Sequence, residues 1–163
     1  QGRATIMDYF KNVPYRLYSV GRLDYDSEGL LLMTNDGELA YKLTHPKFVV
    51  DKTYHAVCDG VLTNNEISRL EAGVDIGDHI TACARISMVH ALHNGNTSFD
   101  ITIHEGRNRQ IRRMLEAVGH KTLVLKRTKE GPIAIGFMQP GEHRLLSEAE
   151  ISMLKGELGL KTS

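Results

Sequence analysis

The chain has 163 residues, of which 41% are hydrophobic and 25% are charged, and its formal net charge is zero. These values are typical of one globular domain with a substantial core. No apolar run approaches the roughly 18 residues that a membrane-spanning helix needs, and no secretory signal is visible. We therefore expect a soluble cytoplasmic protein with no membrane partner. Its two cysteines, Cys58 and Cys83, are expected to be reduced thiols.

The predicted elements alternate between short strands and short helices. Apolar alternation and β-branched residues predict strands at residues 15–20, 30–33, 52–60, 81–92, 97–105 and 122–128. Helical periodicity predicts helices at residues 35–43, 65–73, 108–118 and 147–158. Their predicted start and stop signals are Asn35 or Asp36, the capping boxes Thr63–Glu66 and Ser147–Glu150, and Gly73. Because strands outnumber helices and hairpins are local, we predict an α+β fold with a mixed, mostly antiparallel central sheet flanked by helices.

The predicted helix at 108–118 carries a clear apolar stripe. The stripe consists of Ile111, Met114, Leu115 and Val118. Arg109 and Arg113 lie on the opposite side, where they would meet phosphates or solvent. Arg112 lies at the edge of the stripe, from which its guanidinium can extend along the surface into a cleft.

Three acidic residues at alternate positions, Asp24, Asp26 and Glu28, raise two alternatives. One is a calcium loop of the EF-hand kind, and the other is a single catalytic carboxylate in a turn. The calcium loop fails because Asn35 occupies the position of the bidentate glutamate and because the preceding residues favour a strand rather than a helix. Asp26 and Glu28 are interpreted as supports of the turn.

The remaining residues give little indication of a metal or cofactor. The eight histidines are scattered, without zinc-ligand spacing, and there is no phosphate-binding glycine motif. A magnesium site for a nuclease would need a second acidic cluster, which is not evident. We expect no metal and no cofactor.

Basic residues concentrate in one region of this neutral chain. Between Glu105 and Lys129 the sequence has eight basic residues and only two acidic ones. The eight are Arg107, Arg109, Arg112, Arg113, Lys121, Lys126, Arg127 and Lys129. Net neutrality argues against a nucleic-acid partner, but this distribution allows one strongly positive face. From charge alone, a solvated face and a nucleic-acid surface remain equally open.

Three stretches taken together resemble a known family. The segments "VGRLDYDSEGLLLMTNDGEL", "KTYHAV" and "EGRNRQIRRMLEAVGH" are similar, in order and spacing, to motifs I, II and III of the pseudouridine synthases. The residues of these motifs resemble those of the RsuA/RluB/RluE/RluF branch, which modifies bacterial ribosomal RNA. Within that branch they resemble the RluB type, which acts on large-subunit (23S) RNA. The resemblance implies the pseudouridine synthase fold with an active-site cleft. It also implies that residues 1–163 are a catalytic domain, N-terminally truncated, without the S4-like RNA-binding domain of this branch.

The resemblance also implies roles for individual residues. Asp24 is the expected catalytic carboxylate, Tyr54 the tyrosine of motif II, and Arg112 the arginine that keeps Asp24 charged and aimed. The implied reaction breaks the uracil–ribose bond, rotates the base and rejoins it through carbon 5, without metal or cofactor. Asp24 could act as nucleophile on the sugar or as base at its 2′ carbon. The expected RNA contacts are Arg22, Leu115, Arg107, Asn108, Arg109, Arg113, Lys126 and Arg127.

The expected function is therefore an isomerase that converts one uridine of ribosomal RNA, in 23S RNA by preference, to pseudouridine. We expect it to act as a monomer. Three alternatives stay open: a 16S enzyme of the same family, a non-catalytic RNA-binding module on the same scaffold, and the metal-dependent nuclease.

Overall fold

The computed structural model describes residues 10–48 and 50–160. Within these ranges the chain forms eight strands and four helices. The strands are β1 Tyr18–Val20, β2 Glu28–Gly29, β3 Leu32–Thr34, β4 Lys52–Cys58, β5 Arg85–Ala91, β6 Thr97–Ile103, β7 Thr122–Glu130 and β8 Ile133–Ala134. The helices are α1 Gly37–Thr44, α2 Asn64–Ala72, α3 Gln110–Ala117 and α4 Glu148–Glu157.

The main sheet is mixed and mostly antiparallel, as predicted. Its strand order is β2-β7-β4-β6-β5, and the short strand β8 also pairs with β7. Every pair in it is antiparallel except β2 with β7. Strands β1 and β3 form a separate two-stranded antiparallel ribbon. The α+β prediction is confirmed.

Local sequence signals account for the helix ends. The Asp36 carboxylate accepts hydrogen bonds from the backbone N–H groups of Glu38 and Leu39, so Asp36 caps α1. The two predicted capping boxes are present at the starts of α2 and α4, and Gly73 ends α2. Each such cap contributes about 1 kcal/mol because it satisfies backbone donors that the helix leaves free.

Two apolar clusters hold the elements together. The first lies between β4, β6 and helices α2 and α3, and its buried members include Ala56, Phe99, Ile101, Met114 and Leu115. The second lies under the β1–β3 ribbon and α4, and it includes Val20, Leu30, Leu32, Ile133 and Leu154. The predicted strand at 30–33 is not continuous, since β2 ends at Gly29 and β3 begins at Leu32, but Leu30 and Leu32 are buried as expected. The residues that follow Asp24 are therefore anchored in a core.

Helix α3 begins two residues later than predicted. Arg109 adopts a left-handed backbone conformation with φ of 52° and stands at the N-cap position without a capping side chain. A left-handed non-glycine residue costs about 1 kcal/mol or more, and it turns the chain sharply between the loop at 105–108 and the helix. The predicted apolar stripe is confirmed, since all four of its residues are buried.

Two further observations concern the whole described chain. None of its helices combines the length and apolar character needed to cross a membrane. Cys58 and Cys83 are both free, the first buried and the second exposed, and burial raises the pKa of the Cys58 thiol to about 11.

Candidate active site

The loop that carries Asp24 is fixed at its far end by the main sheet. We call residues 21–27, which connect β1 to β2, the Asp24 loop. The N–H of Ser27 donates to the carbonyl of Asp24 at 2.9 Å, which closes a tight turn. Immediately after the loop, Gly29 has a φ of 123°, and a Cβ on it would lie 2.2 Å from the Arg127 carbonyl oxygen. Only glycine allows this close approach to β7.

Two arginines at the start of α3 hold the Asp24 loop through Asp26. Nη1 and Nη2 of Arg109 lie 3.0 Å from Oδ1 and Oδ2 of Asp26, which makes a bidentate pair. Nη2 of Arg112 donates to the Asp26 carbonyl at 2.7 Å, and its Nε lies 3.4 Å from Oδ2. The hydrogen bond from Arg109 holds the pKa of Asp26 below its ordinary value, although burial opposes the shift. Paired hydrogen bonds of this kind also fix direction.

The predicted pairing of Arg112 with Asp24 is wrong for this conformation. The tight turn at Asp24–Ser27 presents Asp26, not Asp24, to the first turn of α3. Among the described residues, no basic nitrogen lies within 4.0 Å of the Asp24 carboxylate. Arg112 instead binds the backbone two residues after Asp24.

The Asp24 carboxylate lies within electrostatic range of the Tyr54 phenol. Tyr54 is half-buried on β4, between Ile101 of β6 and Arg127 of β7. Burial raises the pKa of the Tyr54 phenol above its ordinary value, the Arg127 guanidinium opposes the rise, and the nearby Asp24 carboxylate adds to it. The phenol is therefore protonated at neutral pH.

The other expected RNA contacts divide into paired and unpaired groups. Arg113 donates to Asp78 Oδ1 at 2.7 Å and to the Asn108 carbonyl at 2.9 Å. Arg113 and Arg109 are therefore each paired with an acidic side chain. Arg22 and Arg107 are exposed, with no ion pair among the described residues, and Asn108 is exposed while Lys126 is half-buried. These four side chains stay predictions as RNA contacts.

Two expected RNA contacts are contradicted by burial. Leu115 has 0% exposure because it belongs to the apolar stripe of α3 that packs in the core. Arg127 is 3% exposed because β7 directs its side chain inward, beside Tyr54. Neither side chain can touch RNA in this conformation.

Three residues around the site were missed by sequence reasoning. Tyr25, between the two aspartates, is 95% exposed. Lys52 precedes Tyr54 by two residues on β4, so strand periodicity was a usable signal for its side. Glu130 is 1% exposed and lies within electrostatic range of Tyr54. Its position depends on a bulge in β7, which no sequence pattern predicts.

The chain is similar in sequence to one protein family and to several curated proteins. The profile of the family described as RNA pseudouridylate synthase matches residues 3–117, which include the Asp24 loop, Tyr54 and α3. Ribosomal large subunit pseudouridine synthase B of Bacillus subtilis is 44% identical over 156 residues, covering 95% of this chain and 64% of that protein. Ribosomal large subunit pseudouridine synthase E of Vibrio parahaemolyticus is 40% identical over 155 residues, covering 86% and 64%.

Solved structures give the same family at the level of the fold. A crystal structure of a pseudouridylate synthase superposes with a TM-score of 0.75 at 33% identity, covering 85% of this chain and 59% of that one. An archaeal box H/ACA Nop10–Cbf5 complex matches with a TM-score of 0.59 at 17% identity, which is a likeness of fold alone. The chain spans less than two thirds of the length of these curated relatives. With the profile, the relatives and the fold in agreement, the chain belongs to the RNA pseudouridylate synthase family.

Proposed function

We propose that this chain is the catalytic domain of an isomerase that converts a uridine of large-subunit (23S) ribosomal RNA to pseudouridine. The observation that carries the proposal is the bracing of the Asp24 loop by Arg109 and Arg112, with Tyr54 of β4 within electrostatic range of Asp24. The names of the relatives from Bacillus and Vibrio support ribosomal RNA of the large subunit as the substrate.

The chemistry requires that the base be detached, turned and rejoined without escaping. The bond between N1 and the sugar breaks, a bond from carbon 5 to the same sugar carbon forms, carbon 5 loses a proton and N1 gains one. Asp24, half-buried, supplies the carboxylate, either as nucleophile on the sugar or as base at its 2′ carbon. Tyr54 offers a ring face to the uracil. Because its phenol is protonated, it can move the carbon-5 proton only by passing its own proton on.

Arg112 is proposed as a positioning residue rather than as the direct partner of Asp24. Its hydrogen bond to the Asp26 carbonyl holds the turn that aims Asp24. A target uridine in folded RNA must be flipped out of its stack to reach this carboxylate. Arg22, Arg107, Asn108 and Lys126 are the side chains that we propose contact the RNA.

The deciding experiment replaces Asp24 by asparagine or alanine and measures pseudouridine in 23S and 16S RNA. Carbodiimide treatment followed by primer extension gives the modified position. We expect the parent to modify one 23S uridine and both variants to be inactive, with the exposed-site variant Asp51→Asn as the control. Full activity of the Asp24 variants would contradict the proposal, and modification of 16S RNA instead would make this a small-subunit enzyme.

The rival functions predict different results in the same assay. A non-catalytic RNA-binding module would bind RNA equally in the parent and in Asp24→Asn, without producing pseudouridine. A metal-dependent nuclease would shorten the RNA and would stop on addition of EDTA. For the isomerase, addition of EDTA to the folded RNA should not change the amount of pseudouridine formed.

We also propose the context in which the domain acts. It works as a monomer in the cytoplasm, and an S4-like RNA-binding domain in the same protein strengthens RNA binding. Light scattering with size-exclusion chromatography would give the oligomeric state. A protein that carries such a domain should turn over substrate RNA faster than residues 1–163, and equal turnover would contradict the proposed division of labour.

A further inference from the structure

A bulge in β7 places two charged side chains on the same buried face. Thr53 of β4 faces Lys129, whereas the next residue, Tyr54, faces Arg127, so Thr128 is an extra residue in β7. Arg127 and Glu130 are three positions apart and would otherwise point to opposite faces of the sheet. Both are instead almost fully buried, at 3% and 1% exposure.

Hydrogen bonds around Thr128 hold this bulge in place. The Thr128 hydroxyl donates to the Thr53 carbonyl at 3.3 Å, and the Ile135 N–H donates to the Thr128 carbonyl at 2.8 Å. The bulge therefore has its own supports, from β4 on one side and from the segment after β8 on the other. Bulges with such supports commonly redirect side chains next to active sites.

Arg127 makes two hydrogen bonds to Leu30, the residue that follows β2. Its Nε donates to the Leu30 carbonyl at 2.8 Å, and its own carbonyl accepts from the Leu30 N–H at 2.8 Å. Its backbone also forms the surface that Gly29 approaches so closely. The strand that follows the Asp24 loop thus cannot shift along β7 without breaking contacts of Arg127.

Arg127 pairs with Tyr54 across β4 and β7, and Glu130 lies within electrostatic range of the Arg127 guanidinium. Arg127 lies close enough to oppose the burial-induced rise in the pKa of the Tyr54 phenol. Its Nη2 is buried with no hydrogen-bond partner among the described residues. Burial raises the pKa of Glu130, while the charges of Arg127 and Lys52 oppose that rise. A buried arginine without a nearby anion would destabilise the fold.

The geometry points to Arg127 as a positioning residue of the active site, which fixes the Asp24 loop through Leu30 and the Tyr54 phenol through its guanidinium, with Glu130 as its counter-charge. This inference rests on the proposed function. It reverses the expectation that Arg127 contacts RNA, since the side chain is enclosed by the protein. Its loss should therefore change the rate at saturating RNA and leave RNA affinity unchanged.

The test compares Arg127→Met, Arg127→Lys and the control Lys129→Met, an exposed neighbour on β7. We expect Arg127→Met to lower the single-turnover rate by about 100-fold, because ångström-scale misplacement of catalytic groups has effects of that size. The RNA dissociation constant should stay within about twofold of the parent value, a change of under 0.5 kcal/mol. Arg127→Lys should recover part of the rate because it keeps the charge, and Lys129→Met should change neither quantity.

A second readout follows Tyr54 without any RNA. In tyrosine labelled with carbon-13, the signal of Tyr54 is assigned by its loss in Tyr54→Phe. Removal of the Arg127 cation should raise the pKa of Tyr54 in Arg127→Met, and Arg127→Lys should restore most of the parent value. If Arg127→Met does not fold, the double variant Arg127→Met with Glu130→Gln is measured instead, because it leaves no single buried charge unpaired, and we expect its Tyr54 titration to differ from that of Glu130→Gln alone.

The outcomes separate this inference from the proposed function. An unchanged Tyr54 titration together with an unchanged rate would overturn the role of Arg127. A loss of RNA affinity equal to the loss of rate would also overturn it, because Arg127 would then be an RNA contact. If the parent makes no pseudouridine, the proposed function fails, while the Tyr54 titration still decides whether Arg127 acts on the phenol.

Discussion

Arg109 and Asp26, 83 positions apart in the chain, form a bidentate ion pair with both nitrogen–oxygen distances at 3.0 Å. The pair joins the start of α3 to the loop that carries the proposed catalytic carboxylate. Arg109 reaches Asp26 from a left-handed backbone conformation that a non-glycine residue seldom adopts. The ion pair, together with Arg112, makes the position of Asp24 depend on a distant helix.

Asp26→Asn should reduce the rate without weakening RNA binding. Asparagine cannot hold two arginines by charge, so the Asp24 loop loosens, and we expect the single-turnover rate to fall about 10- to 100-fold. Arg109 is freed by the same change and remains available to phosphates, so RNA affinity should be equal or higher. The matched control is Asp78→Asn, which removes the partner of Arg113 outside the Asp24 loop. Equal rates in the two variants would contradict the bracing role of Asp26.

Tyr25→Ala should weaken RNA binding, whereas Tyr25→Phe should not. The ring is 95% exposed on a loop held on both sides, beside Asp24, and an exposed ring can stack on an unpaired base. Stacking of this kind contributes about 1–3 kcal/mol per base, which corresponds to roughly 5- to 150-fold in the dissociation constant. Filter binding with a 23S fragment measures it. Phe137→Ala, which removes a ring of 99% exposure elsewhere, is the control, and an equal loss there would rule out a specific role for Tyr25.

Arg107→Gln should reduce the salt dependence of RNA binding more than Arg113→Gln does. Arg107 has no ion pair among the described residues, whereas Arg113 is held by Asp78 at 2.7 Å. Each phosphate contact contributes about 0.7–0.9 to the slope of log K against log salt concentration. We expect Arg107→Gln to lower the slope by about that amount and Arg113→Gln by less. Identical slopes in parent and Arg107→Gln would show that Arg107 faces only solvent.

His120→Gln should destabilise the protein in a pH-dependent way. The His120 ring lies 3.0 Å from Glu66 Oε1 and 2.6 Å from the Asp59 carbonyl. Burial lowers the pKa of His120, but the bonds to Glu66 and Asp59 outweigh it, so the net pKa lies above the ordinary 6.5. A raised folded-state pKa adds stability that is fully present below 6.5 and is lost as pH rises through the folded value.

Urea unfolding at pH about 5.5 and about 8.5 measures this effect. We expect His120→Gln to lose about 1–2 kcal/mol at the lower pH and less at the higher one, since bonds to charged groups are the stronger ones. His104→Gln, at an exposed position, is the control. A loss that grows with pH would reverse the assigned sign.

Much of the fold was predictable because its signals are local. The caps at Asp36, Thr63 and Ser147 and the alternation of Phe99, Ile101 and Ile103 depend on residues a few positions apart. The apolar stripe of α3 is equally local, and it correctly placed Ile111 and Met114 in the core. The same stripe showed that Leu115 belongs to the interior, and only its family role suggested otherwise.

The sequence by itself determined the class of fold and the helix boundaries to within about two residues, and it indicated Asp24, Tyr54 and the arginines of α3 as candidate site residues. Only the tertiary structure decided which acidic side chain the arginines bind. Asp24 and Asp26 are two positions apart in the same tight turn, and the direction of that turn brings Asp26 to the arginines. Only the tertiary structure places Arg127 and Glu130 on one buried face of the sheet. A one-residue bulge reverses the alternation of side chains along a strand, and its position depends on the partner strand. Pairing across 80 or more residues is settled by packing, not by local pattern.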